Sequence, residues 1–401
     1  MKNGNYSSIL FFCFFLLLSF SLTTCTKDIA VHEEPVLAEF QKTIGGSNAE
    51  IGYAIIEASD NNYVIAGITK TYGSGSEDIY LVKTNPSGKI LWEKTFGGAG
   101  RDIAYDVIET PDGGYLIAGT TKSFTLAVGY DAYLVRTDKD GNLLWQKTYG
   151  NNNNDCAYSI AALSDNSGYV LVGGTGGVIV YFTGDVYVIK VNQYGDTIFT
   201  KTFNSPSPDE GISVTADVQG NFYLLNRIYD DGTGKKGMLA MKMSSSGDSL
   251  WSMVIDGPEW EEGQYIRVTN DGGLIICGST ASYGDLNGDL FAVKISPGGI
   301  VSWQKNFGGM AFDEAQAVIQ TQDGGYLFAG SSKSYTNESE DMFLVKTDAF
   351  GIAQWYKIIG GTYQDGANAI AETNDAYIIA GYTYQTALSN SDIFLVKIKK
   401  Q

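Results

Sequence analysis

Apolar and polar positions along this chain follow an order that repeats. In one interval the apolar-rich runs are Ile103 to Thr110, Tyr115 to Thr120, Ala132 to Thr137 and Leu143 to Tyr149, each preceded by Gly, Asn or Asp. Runs of this length and composition read as β-strands. The segment Trp92-Glu-Lys-Thr-Phe-Gly-Gly98 recurs with decay at Phe40, Trp145, Phe199, Trp251, Trp303 and Trp355, at spacings of 52, 53, 54, 52, 52 and 52 residues. Four strands in about 52 residues make one propeller blade. The repeating part opens on a fourth-strand run, Val36 to Ile44, and ends on a third-strand run, Asp392 to Lys397. The pattern therefore predicts an all-β, seven-bladed β-propeller over residues 36–401, with four strands per blade. In it the N-terminal strand completes the last blade and closes the ring, leaving no open sheet end.

The turns agree. Pro111-Asp-Gly-Gly114, Asn270-Asp-Gly-Gly273 and Gln322-Asp-Gly-Gly325 join first and second strands, with Asp opening the turn and Gly supplying a left-handed conformation. A glycine about four residues ahead of each Trp or Phe (Gly88, Gly141, Gly195, Gly247, Gly298, Gly351) marks the turn from third to fourth strand. The ring that follows is expected to dock between blades, where it buries a large apolar area. Lys42, Lys94, Lys147, Lys201, Lys305 and Lys357 follow that aromatic and are read as charges that guard an exposed edge.

The segments Asp-Gly-Gly-Tyr-Leu-Ile-Ala-Gly (112–119), Asp-Ala-Tyr-Leu-Val-Arg-Thr (131–137) and Trp-Gln-Lys-Thr-Tyr-Gly (145–150) resemble the repeats of secreted bacterial and archaeal β-propellers. The Gly-x-x-x-Trp step is also similar to the tryptophan-docking repeat of quinoprotein propellers. The resemblance implies the fold and an extracytoplasmic setting, and is nearly silent on chemistry.

The first residues add an address. From Tyr6 to Thr26 there is no charge, and the apolar stretch Ile9 to Leu18 follows a basic Lys2, as in a signal peptide. Residues 1–24 are read as that leader and 25–35 as an anchor cysteine with its linker. Leu22-Thr-Thr-Cys25 resembles the lipobox of bacterial lipoproteins, which implies lipidation of Cys25, although Thr24 departs from the usual small residue. Cys25-Thr-Lys-Asp28 is similar to the start of surface-exported lipoproteins of Bacteroidota. The expected localisation is thus the outer membrane or cell surface. An uncleaved membrane helix is the alternative, since the uncharged stretch is long enough to span. The linker from Thr26 to about Pro35 holds the body within ~35 Å of the bilayer.

Composition narrows the partners. The net charge of −18 becomes about −19 once Lys2 leaves with the leader, which makes nucleic acid and anionic membrane surfaces poor partners. Cys156 and Cys277 sit in apolar strand runs two blades apart and read as buried free thiols. Catalysis lacks parts. The one histidine, His32, lies in the linker, so the propeller holds no Ser-His-Asp or Cys-His arrangement. Arg101, Arg136, Arg227 and Arg267 fall in different blades without a shared repeat position, unlike the arginine cluster of sialidase-like propellers. A carboxylate-pair glycosidase or lyase stays open, because acids abound and none is singled out.

Candidate sites follow from the face that carries the longer, variable loops between second and third strands, such as Thr69 to Glu77, Gly176 to Gly184 and Asp230 to Lys236. Glu50, Asp102, Asp155, Asp209, Glu261, Asp313 and Asp365 share one repeat position, two residues before a Gly or Ala of the innermost strand. Asp78, Asp131, Asp185, Asp289, Asp341 and Asp392 open the third strand in six blades. Either each acid accepts hydrogen bonds from its own loop amides and shapes the blade, or the first set forms a cation ring suited to Ca²⁺. No other cofactor is implied. Irregular loops in blades three to five point to a ligand site at Tyr181, Phe182, Tyr229 and Trp260, with Lys235 and Lys236 beside them. The function these readings favour is a non-catalytic binding module for a glycan or protein ligand at the cell surface. A structural or assembly lipoprotein of the outer membrane is the alternative.

Overall fold

The computed structural model describes residues 38–400 apart from 126–128, 151–153, 178–183, 204–208, 230–234, 337–338 and 387–389. Cys25, His32, Tyr181 and Phe182 lie outside the described residues. Seven antiparallel sheets follow one another around an axis, and the strand order within each runs from the axis outward. Among the described residues there is no helix, hence none long and apolar enough to cross a membrane. The chain is a seven-bladed β-propeller.

The closure is as the repeat predicts, with the ends moved slightly. Ala38–Ile44 pairs with Ser391–Lys399, which continues inward through Ala376–Tyr384 to Asp365–Glu372. The first strand begins at Ala38, where Ala38 meets Ile398 at the end of the blade that carries the short turns. The described chain therefore enters on the turn face, opposite the long loops.

Second and third strands are buried on both sides, as Tyr63–Thr69 and Asp78–Thr84 show at every position. Outer strands alternate, as Ile90–Phe96 does, because one of their faces meets solvent. The apolar clusters span neighbouring blades. One joins Val64 and Leu81 of the first blade to Tyr115 and Val135 of the second. Burying such rows between sheets is the main attraction holding the ring.

Each outer-strand ring docks on the next blade. The indole of Trp92 lies 2.8 Å from the place a Cβ on Gly141 would occupy, and Gly141 has φ of +75°, so that turn needs glycine on both counts. Phe40 meets Gly88, Trp145 meets Gly195, Phe199 meets Gly247 and Trp303 meets Gly351 in the same way. In the fifth blade Gly299, at φ +75°, takes this place instead of Gly298, since the spacing of four to Trp303 starts there. The outer lysines do more than guard an edge. Lys147 reaches Asp196 at 2.7 Å, Lys42 donates to the Ser87 carbonyl at 2.6 Å, and Lys94 to Asn142 at 3.2 Å, each on the following blade. Such pairs are exposed and individually weak, and they orient the stem over the aromatic ring.

Removal of residues 38–44 bares the edge of Ser391–Lys399 and takes Phe40 off Gly88. The midpoint of thermal unfolding is expected to fall and soluble yield to drop with it. An unchanged midpoint would show that the ring does not depend on this closure.

Candidate functional site

Crowding at the axis dictates the inner strands. In six of them the ladder slips between the second and fourth residue after the inner-strand acid, as between Gly52 and Ala54, Ala104 and Asp106, or Gly263 and Tyr265. The same slip occurs between Gly211 and Ser213, Ala315 and Ala317, and Ala367 and Ala369. In the third blade the strand breaks into Asn154–Asp155 and Ser159–Ala162 around Tyr158. The second strand presses close here. A Cβ on Gly67 would stand 1.9 Å from the Ile51 carbonyl oxygen, and Gly119, Gly173, Gly278, Gly330 and Gly381 repeat the contact. Blade four has Asn226 at this level, its carboxamide donating to the Leu239 carbonyl at 3.1 Å.

A bulge re-aims the extra side chain, and here it turns that residue into a central channel of about 1010 Å³. The residues so presented are Tyr53, Tyr105, Tyr158, Ile212, Gln264, Gln316 and Asn368, one from each blade in ring order. Three tyrosines form one wall. Tyr53 and Tyr105 have ring centroids 5.8 Å apart, and Tyr105 meets Tyr158 edge-on at 4.9 Å. Burial pushes all three phenols above their ordinary value. The facing wall carries carboxamides. Toward the loop-face end, Arg227 bridges Glu210 at 3.1 Å and Glu262 at 2.6 Å, and Lys236 also holds Glu262 at 2.6 Å. Burial pushes the neighbouring Glu314 up to about 7, against hydrogen bonding from Gln316 and with Glu340 and Glu262 adding to the rise.

The seven acids at the start of the inner strands are buried, each in its own blade. Glu50 accepts from the Gly46 amide at 2.7 Å and the Thr69 hydroxyl at 2.7 Å. Asp102 accepts from Gly98 and Thr121, Glu261 from Gly257 and Thr280, Asp313 from Gly309 and Ser332, and Asp365 from Gly361 at 2.8 Å. Asp155 accepts from Thr175, and the Asp209 amide donates to the Gly184 carbonyl at 2.8 Å. Among the described residues, no group of three or more His, Cys, Asp or Glu is placed to hold a metal ion.

The second register stands beside the first. A Cβ on Gly97 would fall 2.1 Å from Asp78 and 2.6 Å from Asp102, and Gly150 is likewise flanked by Asp131 and Asp155. Burial first, then the Asp155 carboxylate, raises Asp131 to about 6. Asp341 is also raised to about 6, by burial and then by Asp365 and Glu340, against a hydrogen bond from Ser339.

Of the loop residues singled out from sequence, Tyr229 ends the second strand of blade four, opposite Lys236. Trp260 is half-buried, its ring over Gly288 beside Phe312. Lys235 pairs with Asp256 at 2.7 Å. Lys235 thus holds its loop to the segment that crosses from blade four to blade five. Cys156 and Cys277 are buried free thiols, Cys156 pushed up to about 12 by burial.

Sequence reasoning passed over the channel residues. The signal was present only in part: the third residue after each inner-strand acid sorts into tyrosines in blades one to three and carboxamides in blades five to seven.

No family model matches the chain, and no curated protein does. Among solved structures it is similar to the WD40 domain of Neurospora crassa Pan2 at 9% identity, covering 92% of this chain and 98% of that one with a TM-score of 0.54. It is similar to BBS1N from a complex with ARL6DN at 10% identity, with the same coverages and a TM-score of 0.53. A puromycin hydrolase mutant complexed with PGG matches at 12% identity over 92% of this chain and 54% of that one, TM-score 0.54. At these identities the likeness is one of fold.

The carboxyl pairs give a pH signature. Asp131 and Asp341 are protonated in the native state between the ordinary carboxylate value and about 6, so their contribution is full at low pH and lost as pH rises through about 6. The thermal midpoint of the Asp131→Asn, Asp341→Asn variant is expected to fall less than that of the parent between pH 5 and pH 7.5, as read by scanning calorimetry. Parallel curves would mean that the pairs do not titrate in this range.

Proposed function

We propose that the chain is an exported, lipid-anchored β-propeller that acts as a non-catalytic binding module at the cell surface. Its glycan or protein ligand is taken at the loop-face mouth of the channel. The observation that carries this reading is the unlike set of residues at one repeat position, Tyr53, Tyr105, Tyr158, Ile212, Gln264, Gln316 and Asn368. A blade requirement would set the same kind of residue each time, as it sets a carboxylate at the head of the inner strand. The carboxylates of six of those acids accept hydrogen bonds within their own blades, which favours a role in the fold over a Ca²⁺ ring. Glu210 and Glu262 are tied by Arg227, which favours a fixed ion network over a free acid and base.

Chain polarity supports the orientation. The first described strand starts at the turn face, so an anchor at Cys25, within ~35 Å by the length of its linker, directs the loop face away from the bilayer. Tyr229 and Trp260 then flank an outward mouth as anchoring aromatics.

Cys25→Ser is expected to move the protein from the membrane fraction to the soluble fraction; retention with the leader intact would identify a membrane helix instead. Trp260→Ala and Tyr229→Ala are each expected to cost more than ~1 kcal/mol of binding with little change in thermal midpoint. A lowered midpoint with binding unaltered would assign both residues to blade packing.

A further inference from the structure

The inner-strand bulges free one side chain per blade from the needs of the fold. In blades one to three that side chain is a tyrosine, and in blades five to seven it is a carboxamide, Gln264, Gln316 or Asn368. We infer that the channel mouth takes a neutral saccharide, held between this tyrosine wall and this carboxamide wall. The inference rests on the binding-module reading and names its ligand.

Three features argue for that chemistry. A sugar ring has C–H faces, weakly positive and poorly hydrated, that lie well on the negative face of an aromatic ring. Tyr53 and Tyr105, tilted to each other, and Tyr158, edge-on to Tyr105, set aromatic surface in an arc along the channel. Sugar hydroxyls both donate and accept, and a carboxamide does the same from one planar group. Asn368 donates to the Gly52 carbonyl at 2.9 Å and keeps its amide oxygen for the channel. Gln264, Tyr53 and Tyr105 line the channel, and among the described residues the Gln264 carboxamide and the Tyr53 and Tyr105 hydroxyls have no protein hydrogen-bond partner.

Charge completes the argument. Around Glu210 and Glu262 the carboxylates are matched by Arg227 and Lys236, so this part of the mouth is polar yet balanced. An ionic ligand entering there would have to compete with these existing pairs, whereas a neutral polyhydroxylated one exchanges water bonds for protein bonds. The channel of about 1010 Å³ accommodates more than one sugar ring.

The test is calorimetric titration of the full chain with neutral hexasaccharides of α- and β-linked glucose, mannose, xylose and galactose. At least one is expected to bind. Gln264→Ala and Tyr105→Phe, which keep the aromatic wall in place, are each expected to weaken it by about five-fold, the size of one lost hydrogen bond, at an unchanged thermal midpoint. Failure of every neutral hexasaccharide to bind, or equal binding by both variants, overturns the inference. Should hexagalacturonate or oligolysine bind instead and be weakened by Gln264→Ala, the saccharide is wrong and the binding module stands. If none of these probes binds, both readings fall.

Discussion

A buried carboxylate at the head of each inner strand holds the crossing from one blade to the next. It sits where the chain leaves an outer edge and returns to the axis, and in blades one, two, five and six it ties a glycine amide four residues earlier to a hydroxyl on the second strand, as Glu50 does with Gly46 and Thr69. Each such acid is out of water, so its cost is offset only while those donors stay in place. That fixes the inner strand's depth and, with it, the close approach of Gly67 to the Ile51 carbonyl. The bulge follows as the way to fit a strand there, and the channel residues follow from the bulge.

The division of labour around the axis is physical. Residues that the latch needs recur in blade after blade. The bulged side chain leaves the ladder and points into the channel, so the blade places no demand on it. Its identity then drifts or is chosen by something else, and in this chain it sorts into an aromatic wall and an amide wall. The fourth blade departs most from the rule, with Asn226 in place of a glycine, Ile212 at the bulge and Arg227 reaching across to two glutamates.

Much of the fold was legible because its signals are local and repeated. The outer-strand aromatic and the turn glycine that receives it lie in the same pattern one blade apart, as Trp92 and Gly141 do. The offset ends, Val36 to Ile44 and Asp392 to Lys397, announced the closure to within a few residues of Ala38–Ile44 and Ser391–Lys399. The channel was not legible, and the reason is parity. A bulge shifts the two-residue alternation by one, so residues before and after Tyr53 or Gln264 face the axis by different rules. The break around Tyr158 in blade three was hidden likewise. Loop irregularity drew attention to Trp260 and Tyr229, which the structure places on the loop face but partly packed. Of the two readings the sequence left open for the acids, donors within the blade are what Glu50, Asp102, Asp155, Glu261, Asp313 and Asp365 have.

The central claim is that the repeated residues build the ring and the unrepeated bulge residues meet the ligand. Hydrogen exchange followed by mass spectrometry, with and without a bound hexasaccharide, tests it most directly. The account predicts that protection rises in the inner strands around Tyr53, Tyr105, Tyr158, Gln264 and Gln316 and is unchanged in the outer strands such as Ile90–Phe96. Protection gained on outer strands, or confined to the loops of blades four and five with the inner strands unaltered, would contradict it.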